Sequence, residues 1–149
     1  MASLFDPATR ISILDRLDAL SEGCGRHWGK MNAAQMLAHC AAALEVGTGD
    51  RKRKQVFIGK VFAPFVKPAL LGEKPFGKNS PTDPTFIVSD DRNFTREKQR
   101  LISIVSRFCE GGPAEAGKHT HSFLGRITGD EWGVMMYKHL DHHLRQFGG

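Results

Sequence analysis

The chain is poor in cysteine and contains no long apolar run. Its three cysteines, Cys24, Cys40 and Cys109, are odd in number and nowhere form a CxxC pair. That argues against a disulfide framework or a zinc knuckle, and for a reducing compartment. The longest apolar stretch, Val61 to Val66, contains Pro64 and falls far short of the ~20 residues a membrane-spanning helix requires. The start, Met1-Ala2-Ser3-Leu4-Phe5-Asp6-Pro7, lacks the charged-then-apolar pattern of a signal peptide. These absences lead to the expectation of a cytoplasmic protein with no membrane partner. Strand periodicity is scarce as well, which leaves helices to build the core.

What is present fits one domain of 149 residues, 40% hydrophobic, enough for a single core. The formal charge of +5 is uneven: residues 51 to 78 hold eight basic residues and one acid, Glu73. The basicity therefore belongs to one segment. Arg51, Lys52, Arg53 and Lys54, with the lysines that follow, suit steering of an anionic ligand, contact with nucleic-acid phosphates, or plain solvation. A nucleic-acid partner is disfavoured, because no recognition-helix motif accompanies the charge and no aromatics track a single strand.

Four helices are legible. Asp6 caps the first, Pro7 opens it, and Ile13, Leu14, Leu17 and Leu20 recur at helical spacing until Glu22-Gly23. Asn32 with Gln35 marks a capping box for the second, which runs to about Val46 before Gly47 and Gly49 and carries Met36, His39, Ala42, Ala43 and Val46 on one face. The third spans about Thr95 to Cys109 and stops at Gly111-Gly112-Pro113. Thr128 with Glu131 opens the fourth, whose inner stripe is Trp132, Met136, His139, His143 and Phe147. The resulting expectation is an all-α four-helix bundle with a long crossover, residues 50 to 94, between helices two and three. Within the crossover, Val56 to Val66 predicts a short helix packed over the bundle, broken where Pro64 and Pro68 remove donors.

Of seven histidines, His139 and His143 stand out, because residues four apart share a helix face and neutral imidazole is a common ligand for zinc-like ions. His139 with His142 is the alternative pair by spacing. Two buried, hydrogen-bonded histidines, or a solvated basic helix end, are the plain readings of the same motif. His39 is the remaining histidine that an apolar-periodic helix carries inward, and the small Ala42 and Ala43 beside it leave room for an ion.

Taken together, Trp28-Gly29-Lys30-Met31-Asn32-Ala33-Ala34-Gln35-Met36-Leu37-Ala38-His39, then His121-Ser122-Phe123-Leu124-Gly125-Arg126-Ile127-Thr128, Glu131-Trp132 and His139-Leu140-Asp141-His142-His143-Leu144-Arg145-Gln146 resemble the DinB/YfiT-like superfamily, and within it a bacterial family of unknown function. The resemblance covers nearly the whole chain with the blocks in order. It implies a four-helix bundle with a long crossover and a three-histidine divalent metal site, with His39, His139 and His143 as ligands and His142 as a neighbour. His121 falls at a family position usually followed by proline, where this chain has Ser122, and reads as a residue that supports a ligand or faces the substrate, or as a surface loop. Gln35, Asp141 and Gln146 are candidates to orient the ligand imidazoles.

Three imidazoles leave coordination positions open, where an ion can acidify bound water or hold a thiol as thiolate. Softness alone admits zinc, nickel, iron or copper. The resemblance favours a transferase using a low-molecular-weight thiol on a small-molecule substrate. A metal-dependent hydrolase is the second reading, and a non-catalytic module meeting an anionic partner through residues 51 to 78 the third. The apolar stripe of helix one is compatible with a homodimer and equally with a monomer.

Overall fold

The computed structural model describes residues 1–149. Five helices follow one another along the chain: α1 (Pro7–Ala19), α2 (Ala33–Thr48), α3 (Phe57–Leu71), α4 (Phe94–Ala116) and α5 (Gly129–Gln146). A 3-10 turn at Pro84–Phe86 and a hairpin of β1 (Thr120–His121) with antiparallel β2 (Gly125–Arg126) complete the elements. The bundle is made of α1, α2, α4 and α5, and α3 lies in the crossover.

Thirteen residues of α2 are buried, so this helix is the central one, apolar all round. Its alanines let neighbours come close. A Cβ at Gly47 would sit 2.7 Å from the Phe108 ring and 3.3 Å from Trp132, so glycine at that position sets the approach of α4 and α5. Leu37, Leu44, Leu101, Val105, Leu140 and Leu144 fill the space between the three helices. Both expected capping boxes form: Asn32 with Gln35 on α2 and Thr128 with Glu131 on α5, each contributing about 1 kcal/mol.

Three expectations about the elements change. The crossover helix is continuous over Phe57–Leu71 and is not broken at Pro64 and Pro68. The two prolines lie four residues apart on its exposed side, so the carbonyls they leave without donors face water. Nor does this helix bury its large side chains. Gly59 and Ala63 alone are buried, and a Cβ on Gly59 would collide with the Phe123 carbonyl. The α4 helix is disrupted at Gly112, with φ 69° and ψ −175°, where its expected end lies, but one more turn follows to Ala116. Pro113 suits the start of that turn.

Polar bonds hold α3 in place. Val56 N donates to Ser122 O at 2.8 Å, Gln55 Nε2 donates to Phe123 O at 2.8 Å, and Lys67 pairs with Glu131 at 2.8 Å. At its C-terminus Lys138 Nζ, from α5, donates to Ala69 O, Leu70 O and Gly72 O at 3.3, 2.6 and 2.7 Å. An ammonium at this end satisfies orphan carbonyls and opposes the helix dipole.

Candidate metal centre

The α2 helix carries His39 and α5 carries His139 and His143, and the packing of these helices turns all three imidazoles toward one point. One ring nitrogen from each lies within 4.8 Å of the other two. The Nε2 atoms of His39 and His139 are 2.9 Å apart, close to the ~3 Å expected of two nitrogens each ~2.0–2.1 Å from one ion. Ring centroids are 4.7 to 4.9 Å apart. This is the pairing at four-residue spacing.

The protein fixes two tautomers. His39 Nδ1 donates to the Phe86 carbonyl at 2.7 Å, and His143 Nδ1 donates to Gln146 Oε1 at 2.8 Å. Gln146 is itself oriented, since its Nε2 donates to Trp28 O at 2.7 Å. With each Nδ1 bonded as donor, each Nε2 presents a lone pair to the cluster. His139 Nδ1 is buried without a partner.

Burial is the main cause that pushes all three histidines below their ordinary range. For His39 the Phe86 carbonyl partly opposes it. His139 is held well below, with the neighbouring histidines adding to burial. His143 is lowered to about 3 by burial and then by His39, against the opposing bond to Gln146. Three neutral imidazoles therefore converge at neutral pH, a donor set that suits a divalent transition ion.

The other candidate residues separate by location. His142 stays outside the three-nitrogen group, half-buried, its ring 5.1 Å from His143, 5.5 Å from Trp28 and 6.1 Å from Phe76. Of the three expected orienting groups, Gln146 alone meets an imidazole of the cluster. Gln35 is consumed by the cap, accepting from Asn32 N at 3.0 Å and donating to Asp90 O at 3.1 Å. Asp141 bonds Arg16 at 2.8 Å and Arg145 at 2.9 Å, which ties α1 to α5.

His121 Nδ1 accepts from Phe123 N and Leu124 N at 3.1 and 3.0 Å. Its ring lies against Trp132, and burial lowers its pKa to about 4. It lines a cleft of about 20 Å³ with Ala43, Val46, Phe86 and Met136. Ala43 and Met136 sit one turn from His39 and His139 on their respective helices. Arg51, Lys52 and Arg53 line a separate cavity of about 250 Å³ with Val46, Lys118 and His119. There Arg51 pairs with Glu45 at 3.1 Å and Arg53 with Asp83 at 2.8 Å, while Lys54 is exposed. His119 is half-buried, with its Nε2 3.6 Å from Glu115 Oε1.

The Phe86 carbonyl and Lys138 are absent from the sequence reading. A carbonyl delivered by a loop has no residue signature, and Lys138 acts on a helix distant in sequence.

Fold and site define a helical-bundle protein with a buried three-histidine cluster that could hold a metal ion. The chain belongs to DUF1569, a family of proteins of unknown function, whose match covers residues 10–148. No curated protein and no solved structure matches it.

Proposed function

We propose that His39, His139 and His143 hold one divalent transition metal, with zinc, nickel and iron the leading candidates, and that the protein is a metal-dependent enzyme of the DinB-like type acting on a small molecule. The observation that carries this reading is the convergence of three neutral imidazoles, two with Nδ1 already committed to protein acceptors. Such an arrangement exceeds what packing two helices requires. When bound, an ion with three imidazole ligands keeps open positions and supplies Lewis acidity to a ligated thiol or water.

The chain's own residues bind, orient and shield. Phe86 O and Gln146 Oε1 hold two rings in register, Ala42 and Ala43 keep space beside His39, and His142, Trp28 and Phe76 form an aromatic neighbour to the cluster. Arg51, Lys52, Arg53 and Lys54 steer anionic substrates, a role supported by the basic cavity, which shares Val46 with the cleft one turn from His39. A low-molecular-weight thiol is the favoured cosubstrate and transfer the favoured reaction. Metal-dependent hydrolysis at the same residues is the alternative.

Elemental analysis of untagged protein, wild type beside His143→Ala, tests the site. About one equivalent of a transition metal in wild type, lost in the variant, is expected. No metal in either after reconstitution overturns the enzyme reading.

A further inference from the structure

The α3 helix presents a face that the fold leaves uncovered. Phe57 is 79% exposed, Ile58 61%, Val61 47%, Phe62 51% and Phe65 79%. At about 100° per residue these five positions fall within an arc of about 140°, a complete apolar stripe of the kind a helix normally buries. The opposite arc carries the small Gly59 and Ala63, and these face the protein. The helix is thus mounted by its smallest side chains and displays its largest, an inversion of ordinary packing. Contiguous exposed apolar surface of this kind marks an interaction site.

The charge around the stripe identifies the partner. Residues 51 to 78 contain eight basic residues against Glu73. Of these, Arg51, Arg53 and Lys67 are paired with acids, whereas Lys52, Lys54, Lys60 and Lys74 are exposed without such a partner. Lys52 and Lys54 precede the helix, Lys60 lies on its flank, and Lys74 follows its end. An apolar stripe with lysines at both ends and on one side matches a helix lying in the plane of a membrane, its aromatic and branched side chains among the acyl chains and its ammonium groups at anionic headgroups. A second copy seated on the same face would bring the same lysines together and be opposed by their repulsion. No helix is long and apolar enough to cross a membrane, but in-plane docking requires no crossing.

We infer that α3 docks the protein on an anionic lipid surface. This rests on α3 and its flanking lysines and is independent of the histidine cluster. The test is flotation of the full chain with vesicles of phosphatidylcholine alone and of phosphatidylcholine with roughly one third phosphatidylglycerol, with sedimentation velocity on lipid-free protein in parallel. Wild type is expected to float with the anionic vesicles, to stay behind with neutral ones, and to sediment as a monomer. Phe57→Ser/Phe62→Ser/Phe65→Ser is expected to lose about tenfold or more of the binding with an unchanged circular dichroism spectrum, because none of these side chains belongs to the hydrophobic core. Lys52→Ser/Lys54→Ser/Lys60→Ser is expected to lose the preference for anionic lipid. Failure of wild type to float overturns the inference, as does equal flotation of the phenylalanine variant. A dimer that the phenylalanine variant splits would assign the face to a second copy and overturn it as well.

Discussion

Gln146 stands between a loop and the histidine cluster: it accepts from His143 Nδ1 and donates to Trp28 O. Replacing it with leucine leaves His143 without its acceptor, and metal affinity is expected to fall 10- to 100-fold, measured by competition with a chromophoric chelator. Gln35→Ala should leave that affinity unchanged and cost up to about 1 kcal/mol of stability, because its bonds belong to a helix cap. The sequence makes both glutamines candidates, since each is one helical turn or less from a histidine; only the direction of each side chain separates them. His121 offers a pH test. Its folded pKa of about 4 lies below the ~6.5 of an unfolded histidine. As pH falls from ~6.5, the unfolded chain therefore gains a proton that the folded chain refuses, and stability drops until His121 protonates in the fold as well. In His121→Asn, which keeps an acceptor for the turn, urea unfolding of metal-free protein between pH 7 and pH 5 should show a shallower fall, by up to about 1.4 kcal/mol per pH unit.

Among the elements, those with a local stop or start signal are legible in the sequence. Asn32–Gln35 and Thr128–Glu131 form their boxes, and Gly112 bends the chain at the expected end of α4. The α3 helix is misread because proline is taken as a breaker: the rule holds where a carbonyl would be stranded in a core, and here the affected carbonyls face water. Its apolar residues read as core for the same reason, since periodicity marks a stripe and not what covers it. The β1–β2 hairpin is missed because strands of two residues carry no period. Gly59→Val tests how α3 is mounted. The branched side chain must displace the backbone at Phe123, at an expected cost of 1–3 kcal/mol in urea unfolding, whereas Pro64→Ala should be neutral or stabilising.

At the scale of the whole molecule, imidazoles from two helices far apart in sequence meet at one point. On the proposed metal site, an ion is expected to stabilise the folded state by mass action: at about a hundred times its dissociation constant the gain is about 2.7 kcal/mol, read as a rise in melting temperature that a chelator reverses. Lys138 adds a constraint of a different kind. Its ammonium grips three carbonyls at the end of α3 from the position immediately before His139. A displacement of α3 away from the bundle must break those bonds and leave the carbonyls at its end without their donor. The exposed helix is thus pinned at its far end, and its apolar face is held at a set angle to the bundle instead of swinging free.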